Sequence, residues 1–388
     1  MSARTHALPM VTMLVVAMLA PLACGKTPGV DPPRAATPSP AAGAEAPRCV
    51  AGPDAQGLDA TVAALLVEAD AIAPLRAVVV ARGGVLLAER GYGGAQPGTP
   101  VNIKSASKTV VSALVGVAID RGLLDGVDQP IAPLLETDLP ADPDPRLARI
   151  TIGHLLSMQS GLERTSGPYY GRWVASDNWV RDALARPFVD EPGGAMLYST
   201  GSTHLLSAIL ARTSGRPVLE LAREWLGPQA GFVISAWDRD PQGIHFGGNN
   251  MAMGTRSLLA FGELYRNGGV SRDGRRLLPG AWIDASWQPR TRSRFTGDGY
   301  GYGWFLRDIA GEPVRYAWGY GGQMLYVVPS LDLVVAMTSD DGQASARSGH
   351  RDALHGLAAE IIRAARCASL AAAATAGSPP SCANVGGC

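Results

Sequence analysis

Ser105 and Lys108 stand three residues apart, at the head of a run that is almost wholly apolar from Val110 to Ile119. If that run is helical, the two side chains share one face. A serine hydroxyl attacks a carbonyl only when a neighbour takes its proton. An amine can be that neighbour only when burial or positive charge lowers its pKa. A helix start favours both conditions, because its free N–H groups and positive dipole end favour an anion at Ser105 and disfavour charge at Lys108. Composition sharpens the point: of 34 basic residues only Lys26, Lys104 and Lys108 are lysine. The others are arginine, which cannot shed a proton. S-x-x-K fixes only two positions in four, however, and often marks a solvated helix start with Ser as its cap. Other stretches must supply a proton shuttle and an oxyanion site.

Two stretches offer them. Gly193-Gly194-Ala195-Met196-Leu197-Tyr198-Ser199-Thr200 puts a tyrosine after a glycine turn and before a helical run. From there its phenol can relay a proton between Ser105 and a leaving group if a nearby lysine ammonium lowers its pKa; packing as an ordinary aromatic is the alternative. In Ala317-Trp318-Gly319-Tyr320-Gly321-Gly322-Gln323 the glycines, Gly319 and Gly321 above all, let a strand approach a ligand closely. The Tyr320 N–H can then join the Ser105 N–H as an oxyanion hole, unless the stretch is simply a glycine-rich strand end.

Several classes lose support. Formal net charge is zero, so nothing points to a nucleic acid or an acidic membrane. The six histidines are scattered, with no H-E-x-x-H and no paired C-x-x-C, so no metal or other cofactor is implied. The phosphate loop G-x-x-x-x-G-K-[ST] and the elbow G-x-S-x-G are both missing.

At 388 residues, 46% hydrophobic and 18% charged, the chain can bury a large core. Residues 1–24 read as an export signal: Arg4 and His6, an apolar run from Ala7 to Ala23, then small residues around Cys24. Leu22-Ala23-Cys24-Gly25 resembles a lipoprotein box, with Pro21 where leucine is usual, so lipidated Cys24 is a possible membrane attachment and plain secretion the alternative. A periplasmic or cell-envelope address follows, and Cys49, Cys367, Cys382 and Cys388 then meet an oxidising compartment, with Cys49 and Cys367 the favoured pair of three pairings. Residues 25–48 form a Pro- and Ala-rich tether.

Helical spacing marks Leu58 to Leu75, and Arg82-Gly83-Gly84 joins strands Ala77 to Ala81 and Val85 to Glu89 in a hairpin. The Ser105 helix ends near Gly122. Helices follow at Ile152 to Met158, His204 to Ala211 and Arg256 to Asn267. The period then changes: Tyr302 to Leu306, Arg315 to Trp318, Met324 to Val328 and Leu333 to Thr338 read as strands, closed by a helix from Arg351 to Ala365. The expected architecture is α+β, an antiparallel sheet flanked by helices and built from 49–130 and 251–366, with an all-α domain inserted at 131–250. The active cleft falls at their seam. An Ala- and Cys-bearing tail, 367–388, is expected to be peripheral.

Ser105-Ala106-Ser107-Lys108, Tyr198-Ser199-Thr200 and the glycine-rich strand before Val327-Val328-Pro329 occur in the order found in the serine β-lactamase-like superfamily. That superfamily holds class C β-lactamases, DD-peptidases, esterases and 6-aminohexanoate-dimer hydrolases. Ile150-Thr151-Ile152-Gly153-His154-Leu155-Leu156, Ser160-Gly161-Leu162 and Leu331-Asp332-Leu333-Val334-Val335 are also similar, so the resemblance runs from about Leu58 to Arg363. It implies a two-part fold, acylation of Ser105, proton handling by Lys108 and Tyr198, and no metal. Two departures stand out: the family's Tyr-x-Asn ends here in Thr200, and its Lys- or His-led third motif is replaced by Ala317-Trp318-Gly319. Loss of that cationic motif weakens an antibiotic-hydrolysing reading and brings the chain closer to the 6-aminohexanoate-dimer hydrolases and esterases. Tyr169 and Tyr170, with Trp173 and Trp179, follow Ser160-Gly161-Leu162 and either wall a substrate cleft or pack within the helices. The expected substrate is a small or peptide-like amide or ester. Rival readings are a β-lactamase or DD-peptidase, and a surface lipoprotein that binds through an inert cleft.

Overall fold

The computed structural model describes residues 57–376. The export signal with Cys24, the tether, and Cys49, Cys382 and Cys388 lie outside the described residues. The strands are β1 (Leu75–Arg82), β2 (Val85–Gly91), β3 (Val101–Asn102), β4 (Ala236–Trp237), β5 (Met251–Met253), β6 (Thr291–Arg292), β7 (Gly299–Tyr300), β8 (Phe305–Ile309), β9 (Glu312–Gly319), β10 (Gln323–Val328) and β11 (Leu333–Ser339). The helices are α1 (Leu58–Glu68), α2 (Ser107–Asp120), α3 (Ile152–Leu156), α4 (Tyr170–Val174), α5 (Trp179–Leu184), α6 (Thr200–Ser214), α7 (Val218–Trp225), α8 (Thr255–Arg266), α9 (Gly280–Ser286), α10 (Ser345–Ser348) and α11 (His350–Ala376).

The main sheet is antiparallel, in the order β2-β1-β11-β10-β9-β8-β7-β6. Its centre is buried on both faces, which is why β10 and β11 read as unbroken apolar runs. Period 2 still sorts the side chains. Val78, Val80, Tyr326, Val328, Val335 and Met337 pack against α1 and α11. Leu325, Val327, Val334 and Ala336 face the opposite way, into a core shared with α2, α6 and α8. The β1–β2 hairpin turns at Gly83 and Gly84, φ +56° and +78°, where the chain needs two left-handed residues.

Helix α2 is the axis of that second core. Every residue from Ser107 to Ala118 is buried, as expected of a helix apolar on all sides. Gly116 lets Trp282 of α9 lie directly on its backbone. The segment between Pro130 and Asn250 carries α3 to α7 and also one short strand, β4, which pairs with β5 beside β3 in a second, three-stranded sheet.

Several sequence expectations need correction. The first helix ends at Glu68, not near Leu75: a 3-10 turn follows at Ala69–Ala71, and Pro74 disfavours helix in the residue before it. The strand expected at Tyr302 begins only at Phe305, because Gly303, φ +86°, turns the chain there. The segment after Arg366 is not a peripheral tail at first. Helix α11 continues to Ala376, Ala368 is buried, and Arg82 donates to Ser369 Oγ at 2.6 Å. Cys367 lies half-buried on that helix, and its pairing with Cys49 stays a proposal. Among the described residues no helix is long and apolar enough to cross a membrane.

Candidate active site

Ser105 sits on a 3-10 turn, Lys104–Ala106, that runs straight into α2, so the serine precedes the α-helix proper and Lys108 lies in its first turn. Three contacts hold the turn. Ile103 N–H donates to Met251 O of β5 at 2.9 Å, Lys104 N–H donates to Asn102 Oδ1 at 2.9 Å, and the Lys104 ammonium pairs with Asp341 at 2.7 Å. Lys104 itself has φ +52°, a left-handed backbone that a side-chain-bearing residue adopts at a cost of about 1 kcal/mol or more. The residue before the serine is thus held in place by its neighbours. Ser105 is half-buried.

Lys108 is buried, and its Nζ donates to three oxygens: Ser105 Oγ at 3.0 Å, Thr200 Oγ1 at 3.3 Å and Gly248 O at 2.8 Å. No carboxylate pairs with it among the described residues. Burial lowers its pKa to about 7, since an uncompensated ammonium is costly in apolar surroundings. The amine is therefore available as a base near neutrality. Thr200, standing where the family's asparagine is expected, supplies an oxygen in its place and is itself fixed by Ser166, whose Oγ lies 3.0 Å from Thr200 Oγ1 and accepts from Thr200 N–H at 2.9 Å.

Tyr198 precedes α6 and is brought to the same point: its ring centroid is 5.1 Å from Lys108 Nζ, with Tyr300 and Phe305 each 6.2 Å away. The relay read from the sequence is conditional on a nearby ammonium lowering the pKa of this phenol. The structure gives the reverse: burial among aromatics pushes it up to about 12, partly offset by the Ser105 hydroxyl. Tyr198 is therefore a protonated phenol near neutral pH, able to donate a hydrogen bond but not to stand as a base.

The end of β9 closes the site. A Cβ on Gly319 would run into Ile103 O and approach Lys104 Cβ to 3.1 Å, so this glycine brings the strand end against the serine turn. Tyr320 follows in the turn to β10 with its side chain 51% exposed. Gly321, φ +84°, is packed on the Asp340–Asp341 backbone, so the close approach there is to the chain itself. Trp318 directs its indole N–H to Ser345 Oγ at 3.2 Å.

Of the aromatics after Ser160, Tyr169 and Tyr170 are half-buried, and the Tyr170 hydroxyl accepts from Asn249 at 2.7 Å. Trp173 and Trp179 form a satellite core with Phe246, their indole N–H groups donating to Trp179 O and Val174 O. These two tryptophans pack within the helices rather than wall a cleft.

Sequence reasoning missed Gly248, Ser166 and Asn102. Gly248, φ +82°, has Lys108 Cγ only 2.8 Å from where a Cβ would stand. The run Gly247-Gly248-Asn249-Asn250 signals a turn, but nothing in it announces a partner for a lysine 140 positions away.

Residues 62–360 match the family model described as Beta-lactamase. Solved structures of the same fold include a Bacillus anthracis protein provisionally assigned as a 6-aminohexanoate-dimer hydrolase (19% identity, TM-score 0.63, covering 80% of this chain and 82% of that one). Another is EstCE1, a hydrolase with promiscuous acyltransferase activity (19%, 0.63, 80% and 98%). A third is a penicillin-binding protein homologue from Caulobacter crescentus (17%, 0.63, 82% and 98%). At these identities the likeness is one of fold. With a family model matched over most of its length, and a helix-flanked antiparallel sheet of that fold, the chain belongs to the Beta-lactamase family and is a serine hydrolase of the β-lactamase-like superfamily.

Proposed function

We propose that Ser105 attacks the carbonyl of a small amide or ester and is acylated, with Lys108 as general base and Tyr198 as proton relay. The observation that carries this reading is the 3.0 Å contact between Lys108 Nζ and Ser105 Oγ in a site that lowers the amine's pKa to about 7. Lys108 takes the hydroxyl proton as the Ser105 Oγ–carbonyl bond forms, and the N–H groups of Ser105 and Tyr320 receive the developing oxyanion. The proton then passes from Lys108 through Tyr198 to the departing amine or alkoxide as its bond breaks. Water deacylates the enzyme by the reverse route. Gly319 supports the oxyanion role of its neighbour by holding the strand end against the serine turn; Tyr169 and Tyr170 would line the substrate side, whereas Gly321 packs on the Asp340–Asp341 backbone.

The substrate class follows from missing charge. The third motif offers Ala317-Trp318-Gly319 and no cation, and Lys104, the residue immediately before Ser105, is already paired with Asp341. A ligand with a carboxylate to anchor, as in β-lactams, therefore finds less to bind than an uncharged ester or linear amide. Export with lipid on Cys24 would place the reaction at the cell envelope, and export without it would make the protein periplasmic or secreted.

The test is a substrate panel on the purified protein: p-nitrophenyl butyrate, a linear aminohexanoate dimer and a chromogenic cephalosporin, with intact-mass detection of the acyl-enzyme. Turnover of the first or second, well above the cephalosporin, and an adduct on Ser105 are expected. Ser105→Ala should remain folded and inactive. Full turnover by Ser105→Ala would remove the nucleophile assignment, and a cephalosporin preference would move the chain to the β-lactamase or DD-peptidase reading.

A further inference from the structure

The third partner of Lys108, the Gly248 carbonyl, belongs to a loop with a buried anchor of its own. His204 of α6 and Asp240 have fully buried side chains, with His204 Nε2 2.9 Å from Asp240 Oδ2. Gly247 N–H donates to His204 Nδ1 at 3.3 Å. An amide N–H can only donate, so Nδ1 accepts and the imidazole hydrogen sits on Nε2, facing Asp240. The other Asp240 oxygen accepts from the N–H groups of Gln242 at 2.9 Å and Ile244 at 2.8 Å. Trp173, Trp179 and Phe246 surround the imidazole at 5.5 to 5.9 Å. Among the described residues no hydrogen bond joins His204 or Asp240 to Ser105, Lys108 or Tyr198.

The link to chemistry runs through two adjacent glycines. His204 takes the N–H of Gly247, and the next residue, Gly248, presents its carbonyl to Lys108. Both positions require glycine: a Cβ on Gly247 would collide with Thr203 O, and one on Gly248 would stand 2.9 Å from Lys108 Nζ. A neutral lysine amine has two hydrogens and one lone pair. With the hydrogens given to Gly248 O and Thr200 Oγ1, the lone pair is left for the Ser105 O–H. If the Gly248 carbonyl tilts away, nothing keeps the amine from turning a hydrogen toward Ser105 instead.

We propose that His204, held by Asp240, is a positioning residue of this hydrolase: by anchoring the Gly247 N–H it fixes the two-glycine turn whose following carbonyl, Gly248 O, leaves the Lys108 lone pair aimed at Ser105. The inference rests on the reading of Lys108 as the base. Three variants of the whole chain separate this role from packing. His204→Asn keeps an acceptor near the Nδ1 position but leaves a gap among the aromatics; His204→Gln keeps a donor that reaches Asp240; His204→Phe keeps the ring and neither polar contact. The readouts are the rate of Ser105 labelling by a fluorophosphonate, kcat and KM for p-nitrophenyl butyrate, and Tm. His204→Phe and His204→Gln should label at least about tenfold more slowly with KM within about twofold, since small misplacement of a catalytic group costs rate before it costs binding. His204→Asn should keep most of the rate although it is the least stable. Rates that instead follow Tm, or a His204→Phe enzyme labelled at the wild-type rate, overturn the proposal. If His204→Phe does not fold, the Asn and Gln pair still decides, because only Asn offers an acceptor to Gly247. Failure of the wild-type protein to label at Ser105 is a different result, and would remove the catalytic reading itself.

Discussion

Lys108 changes its hydrogen-bonding character as it titrates. As an ammonium it donates to Ser105, Thr200 and Gly248 together; as an amine it keeps two donors and gains the lone pair that can accept the Ser105 proton. Because burial sets its pKa at about 7, kcat/KM for an uncharged ester should rise with pH through about 7 and then level off. Tyr198, at about 12, should add no falling limb below pH 10. A limb near 4, or none between pH 5 and 9, would mean that another group is the base. Lys108→Arg should lose roughly 10²- to 10⁴-fold in kcat, the range of general-base contributions, because a guanidinium cannot give up its proton. The sequence marked this residue well, since a lysine stands out in an arginine-rich chain. It did not give the direction of the Tyr198 shift, which depends on Tyr300 and Phe305 enclosing the ring from another part of the chain.

Helix α2 carries Lys108, and its own placement depends on Gly116. With the Trp282 ring packed on that backbone, the methyl of Gly116→Ala has no free volume to enter. Ala is the better helix former by about 1 kcal/mol, so propensity alone predicts a stabilised protein. Overpacking costs about 1–3 kcal/mol and should win. A lower urea midpoint for Gly116→Ala is the expected result, and a higher one would show that Trp282 moves aside freely. At this scale the long elements were legible. The apolar runs of β10 and β11 and the periodic α8 and α11 carry enough residues to show a period. The two-residue strands β3, β4, β6 and β7 do not, and only pairing with neighbours makes them strands.

Across the whole molecule the sheet separates two cores, and the larger one does not stop at the boundary expected between an α/β and an all-α domain. Val110 and Leu114 of α2, Leu205 and Ile209 of α6, Phe261 of α8 and Val334 of β11 belong to a single buried cluster. Thermal unfolding followed by near-UV and far-UV circular dichroism should therefore give coincident midpoints, as for one cooperative unit. Two separated transitions would show that the helical region melts independently.

Sequence alone pointed to Ser105, Lys108 and Tyr198 as the candidate site, together with the alternation of strands and helices around them. Those features are local: a rare lysine, a spacing of three, a change of period. Tertiary structure decided what each group can do. The lowered pKa of Lys108 comes from being enclosed, and its orientation comes from Thr200 and from Gly248, a backbone carbonyl that no side-chain pattern encodes. Burial and backbone direction are properties of the packed chain, because water is excluded and a carbonyl aimed only when distant segments close on one another.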